Sequence, residues 1–249
     1  MIPGAVYVAH VAGYDSGLIK AFVRQGLEPL MAAGAGKKVL IKPNLVVGKR
    51  PEKAVNTHPA LVRAVVEVLL EAGAAVSIGD SPGYESTEKA LKASLIRPVV
   101  DEYGLHVAHF SGDVRLPSQG ISPYREFVLG EDPRSYDHIV NLPKLKTHAM
   151  MGLSLGVKNI LGFVRGLEKA RWHLRAGRDR ELFAAVLIDL YNVVRPSITI
   201  LDGIMAMDGD GPTHGRPRSV GIVVMSTNAF NLDREVERLL GLKEPLTTS

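Results

Sequence analysis

Two hydrophobic periods alternate along the chain. Short, strand-length apolar runs occur at 6–10, 39–41, 74–78, 107–110, 126–129, 138–142, 198–201 and 220–225. Between them, apolar residues recurring every three to four positions predict helices at about 16–31, from Thr57 to Gly73, at 182–194 and at 231–240. The second helix is the best marked. Leu61, Val62, Val65, Val66, Leu69 and Leu70 fall on one face, and Arg63, Glu67 and Glu71 on the other. Thr57 stands at the capping position, Pro59 in the first turn and Gly73 at the end. Strands separated by helices and short turns predict an α/β fold with a mainly parallel sheet flanked by helices. Residues 112–134, rich in proline and glycine, break the alternation and read as an irregular or hairpin excursion through 126–129. No repeat or linker-like stretch divides the pattern, so 1–249 reads as a single domain.

Composition narrows the function classes. A hydrophobic fraction of 46% and a charged fraction of 22% are those of an ordinary globular protein, not of a disordered or fibrous one. The chain has no cysteine, which excludes disulfides, thiolate zinc sites, cysteine nucleophiles and an iron–sulfur cluster held by thiolates of this chain. Arg63, Glu67, Asp189 and Asp202 interrupt the longest apolar stretches before they reach the ~20 residues of a membrane helix. Met1-Ile2-Pro3-Gly4 lacks the basic flank and apolar core of a signal peptide. A cytoplasmic location without a membrane partner is the expectation. The net charge of +4 favours an anionic ligand but is too dispersed to predict a nucleic-acid partner. RNA would have to meet the 165–180 segment, where Arg165, Lys169, Arg171, Arg175, Arg178 and Arg180 flank Trp172 and His173. Glu168, Asp179 and Glu181 dilute that run, which reads better as a solvated helical face or a lid.

Candidate chemistry collects where strands end, the place where loops of parallel α/β sheets converge on ligands. Lys42 and Asn44 follow one strand, and Asp80, Ser81 and Gly83 the next. Asn141, Lys144, Lys146, Thr147 and His148 follow a third, and Asp202, Asp208, Asp210, Thr213 and His214 a fourth. Each group also has a plain structural reading. Gly79-Asp80-Ser81-Pro82-Gly83 is good turn chemistry by itself, and Asp208-Gly209-Asp210-Gly211 is compatible with a solvated turn. Lys144 and Lys146 flank Leu145, so an extended backbone projects both to one side, where a bound anion would relieve their repulsion. Gly156-Val157-Lys158-Asn159 resembles a phosphate-cradling loop only loosely, since Asn159 replaces the Ser or Thr of the P-loop pattern. No paired-histidine zinc motif and no GxSxG elbow occurs.

Together, Ile41-Lys42-Pro43-Asn44-Leu45, Thr57-His58-Pro59, Ile78-Gly79-Asp80-Ser81-Pro82-Gly83, Asn141-Leu142-Pro143-Lys144-Leu145-Lys146-Thr147-His148, Gly156-Val157-Lys158-Asn159 and Asp202-Gly203-Ile204 resemble the family catalogued as domain of unknown function 362. The match is ordered over roughly 38–233, and Gly209-Asp210-Gly211-Pro212 and Leu232-Asp233 extend it. The resemblance supplies no catalytic assignment. It does imply kinship with proteins that carry an added ferredoxin-like iron–sulfur module, so an accessory role beside a separate redox partner is the second reading.

The first reading is an enzyme acting on a small phosphate or carboxylate. Lys42, Asn44, Ser81, Lys144, Thr147, Lys158 and Asn159 would bind the anion. Asp80, Lys146 and His148 would move protons, neighbouring ammonium groups lowering a lysine's pKa so that it can itself serve as the base. Asp80, Asp202 and Asp208 would hold Mg²⁺ or another divalent cation.

Overall fold

The computed structural model describes residues 1–32, 35–83, 85–165, 168–169, 172 and 179–242. Its centre is a run of parallel strands in the spatial order β10 (Ile198–Asp208), β7 (His138–Leu142), β2 (Lys38–Pro43), β3 (Ala75–Gly79) and β4 (His106–Ala108). β11 (Arg216–Ser226) and β1 (Tyr7–His10) extend the β10 edge as antiparallel strands. After β7 the chain passes Pro143 and continues along β10 as β8 (Lys144–His148), against which β9 (Gly152–Ser154) folds back. β5 (Val114–Pro117) and β6 (Glu126–Leu129) form a separate antiparallel hairpin, the excursion expected within 112–134. The result is an α/β fold on a mixed, mostly parallel sheet.

Alternation along the strands builds two cores. Val39, Ile41, Val140, Ile198 and Ile200 turn to one side of the sheet. There they meet Ile19, Val23 and Leu27 of α1 (Ser16–Met31) and Leu61, Val62 and Val65 of α2 (Pro59–Glu71). The short helices α3 (Thr87–Ala93) and α4 (Arg97–Glu102) close the same layer. Leu40 and Ile139 turn to the other side, toward Phe127 of the hairpin, Phe163, and Phe183, Leu187 and Leu190 of α6 (Arg180–Val194). That layer also contains α5 (Gly156–Asn159), which runs into a 3-10 turn at Ile160–Phe163. The final helix, α7 (Ala229–Leu239), packs Leu232 and Val236 on Leu201 and Val224. Each such apolar side chain taken fully out of water contributes about 1.5–3 kcal/mol before conformational entropy is subtracted. Among the described residues no helix is long and apolar enough to cross a membrane.

Two local expectations are corrected. β10 does not stop at 201: Asp202 and Gly203 lie inside an eleven-residue strand. A Cβ on Gly203 would stand 2.8 Å from Ile222 Cγ1, so glycine here admits the neighbouring strand, and the ladder shifts register between Gly203 and Met205. The cap of α2 is His58, whose Nδ1 accepts the Ala60 N–H at 3.2 Å. Thr57 is buried instead, donating to Leu142 O at 2.6 Å and accepting the Asn44 N–H at 2.8 Å.

Candidate functional site

The C-terminal ends of β2, β3 and β7 lie side by side, with Lys42 opposite Asn141 in the β2–β7 ladder. Lys42 cannot reach water from this position. It closes instead on Asp80, just beyond β3, at 2.9 Å. Asp80 also accepts the backbone N–H groups of Leu45 and Ser81, each at 2.8 Å. Four polar groups thus tie two strand ends together. Burial pushes the Lys42 ammonium below its ordinary pKa, and Asp80 pulls it back. Gly162, in the 3-10 turn, lies directly over the pair. A Cβ there would collide with Asp80 Oδ1 and Lys42 Nζ, so only glycine lets this backbone close the site.

Beside the pair runs a chain of amides. Lys146 Nζ donates to Asn44 Oδ1 and to Val55 O, the latter at 2.8 Å. Asn44 donates to Asn159 at 2.7 Å, Asn159 to Asn141 at 2.8 Å, and Asn141 to Gly156 O at 2.9 Å. Every link is buried and satisfied, so the network is rigid. Burial, then repulsion from Lys158 and Lys144, drives Lys146 far below the ordinary lysine range.

A cavity of about 270 Å³ opens onto these groups. Asn44, Asp80, Ser81, Gly83, His148, Lys158, Asn159 and Thr213 line it, eight of the candidate positions singled out from sequence. The fold adds Ser154 of β9, Lys169 of the basic segment and Pro212 of the β10–β11 turn. Burial brings both Lys158 and Lys169 down to about 8. Lys169 is held by Ser81 O, while Lys158 has no hydrogen bond or ion pair among the described residues. His148 Nδ1 accepts the N–H groups of Met150 and Met151 at 3.2 and 3.3 Å, which orients its ring.

Other sequence candidates stand apart from the cavity wall. Lys144 and Asp202 form a second buried pair at 2.8 Å. The Tyr14 hydroxyl donates to Asp202 and accepts from Lys144, each at 2.9 Å, and the His58 N–H also reaches Asp202. Tyr14 stacks on His58 with ring centroids 3.4 Å apart, and burial lowers His58 to about 4, leaving it neutral. Thr147 donates to Gly209 O. Asp208 is exposed and paired with Arg218 at 2.9 Å. The three aspartates expected to hold a divalent cation are therefore each engaged by a different cation. Among the described residues no group of three His, Cys, Asp or Glu side chains is arranged to hold a metal ion.

Sequence reading missed Ser154 and Gly162. Serine in a short strand and glycine in a tight turn look ordinary until the backbone brings them together. It also missed Tyr14, which precedes α1 by two residues and joins the site through tertiary contact alone. Of the 165–180 basic segment, Arg171, His173, Arg175 and Arg178 lie outside the described residues. Lys169 is described, and its place is in the cavity wall.

The "Thylakoid-associated protein sll1697" of Synechocystis sp. is 37% identical over 238 residues, which cover 94% of this chain and 73% of that protein. The signature of the family described as "Domain of unknown function (DUF362)" matches residues 39–236, a span that contains β2 through most of α7 and all the cavity residues named above. The chain belongs to that family.

Proposed function

We propose that this protein is an enzyme acting on a small phosphate- or carboxylate-bearing molecule held in the 270 Å³ cavity. One observation carries the reading: Lys158 and Lys169 line the cavity, Lys42 and Lys146 lie directly behind it, and Asp80 is the one acidic residue on the described wall. A concentration of lysines over carboxylate in a part-buried site is costly without an anion, and a bound anion removes that cost. In this account Lys158 and Lys169 neutralise the ligand and the Ser81 and Thr213 hydroxyls orient it. His148 moves a proton. Lys42, Asp80 and the asparagine chain hold these groups in place. Lys146 thus supports the wall through Asn44 rather than touching the ligand.

Thermal unfolding tests the reading. The full chain is screened against inorganic phosphate, phosphate monoesters and small carboxylates. A ligand at a hundred times its Kd adds about 2.7 kcal/mol. At roughly 2–4 °C per kcal/mol for a chain of this size, the melting temperature rises by about 5–11 °C. Lys158→Ala combined with Lys169→Ala removes the rise. The reading fails if no anion moves the transition, or if the double variant responds as the wild type does.

A further inference from the structure

Five buried or half-buried lysines surround this end of the sheet, and four of them have an acceptor. Lys42 has Asp80, Lys144 has Asp202, Lys146 has Asn44 and Val55 O, and Lys169 has Ser81 O. Lys158 differs. Its side chain lines the cavity, yet among the described residues no acceptor holds its proton. A lysine kept only as a fixed positive charge gains from an acceptor that positions it, as Ser81 O positions Lys169. A nucleophilic amine needs the opposite setting, with dry surroundings, cations nearby and nothing that stabilises its protonated form. Lys158 is half-buried in the cavity wall, no acceptor among the described residues holds its proton, and Lys146 and Lys169 are both near enough to feel its charge.

We infer that Lys158 is a nucleophile that forms an imine with the carbonyl carbon of a small oxo acid whose carboxylate lies against Lys169. The inference rests on the anionic-ligand reading above and specifies its substrate class. The lone pair of Lys158 Nζ adds to the carbonyl carbon, and the carbonyl π pair moves to oxygen. Both amine hydrogens pass to that oxygen, which leaves as water while the C=N bond forms. Amine plus ketone gives imine plus water, so the step needs neither oxidant nor reductant. His148 lines the same cavity and can relay a proton from nitrogen to oxygen. Burial supports the assignment: with its pKa brought to about 8, roughly a tenth of Lys158 is free amine at neutral pH. Size agrees as well. At about 270 Å³, the cavity has room for an oxo acid of a few carbons.

The test is reductive trapping. The full chain is incubated in turn with pyruvate, oxaloacetate and 2-oxoglutarate, and its melting temperature is recorded. Each mixture is then reduced with sodium cyanoborohydride and examined by intact mass and peptide mapping. At least one oxo acid is expected to leave a single secondary-amine adduct on Lys158, and excess phosphate should suppress it. Lys158→Arg keeps the charge but cannot form the imine, so it should show no adduct while its circular dichroism matches the wild type. A raised melting temperature without a Lys158 adduct overturns the imine and keeps the anion site. Adducts scattered over surface lysines, equally in Lys158→Arg, also overturn it. If the oxo acids neither stabilise the protein nor label it, the imine fails. The broader reading falls with it only if phosphate and its esters are also without effect.

Discussion

Asp80 lines the cavity and Lys42 pairs with it from behind, and the two side chains are almost wholly out of water, at 3% and 0% exposure. Removing one partner strands the other as an unpaired buried charge, which costs about 3–5 kcal/mol. Asp80→Ala should lose that much stability in urea titration, and a loss below about 1 kcal/mol would contradict the geometry. Gly162→Ala should be destabilising too, because its methyl group enters the space of both charged atoms. At this scale the sequence was informative about residue type and weak about partnership. Lys42, Asn44, Asp80 and Lys158 stand at strand ends or helix starts, where parallel sheets gather ligands, so position marked them. Nothing local distinguishes Lys146, which supports the wall from behind, from Lys158, which faces the cavity. That distinction depends on Asn44 being within reach, 102 residues away in the chain.

The element that carries Lys158 is α5, a single turn that cannot hold itself. Its first two N–H groups, from Gly156 and Val157, are accepted by Asp233 of α7 at 2.7 and 3.0 Å. Burial raises Asp233 from 3.8 to about 8, partly offset by those two bonds, with Glu237 adding repulsion. The folded state therefore binds a proton that the unfolded chain has already released between those two values. By linkage this group's contribution to stability falls as pH rises from 3.8 toward 8 and is constant beyond. Asp233→Asn should flatten that limb in denaturant titrations across the interval, and an unchanged pH profile would contradict the assignment. The hydrophobic pattern located β2, β3, β7, α1, α2 and α6 because each combines a clear period with a clear stop. It stopped β10 seven residues early because Asp202-Gly203 has the composition of a turn. Burial of Asp202 against Lys144 and packing of Gly203 on Ile222 override that local preference.

In the whole molecule, two cores share one sheet, and the cavity sits at the strand ends where the second layer, with α5 and the 3-10 turn, closes over the sheet. We propose that the 249 residues unfold as one unit, because the long β10–β11 ladder and the shared sheet couple every layer. Calorimetry should show a single transition, and two resolved transitions would contradict that view. The overall α/β layout was readable from the alternation of periods. The antiparallel edge made by β1 and β11 was not, since an apolar run records burial and not strand direction. The central claim concerns charge at the cavity, and titration calorimetry with the best carbonyl-free anion, inorganic phosphate or a phosphate monoester, tests it most directly. Above the value of about 8 shared by Lys158 and Lys169, affinity should fall by about tenfold or more relative to neutral pH. Affinity that stays level through that range would contradict the account.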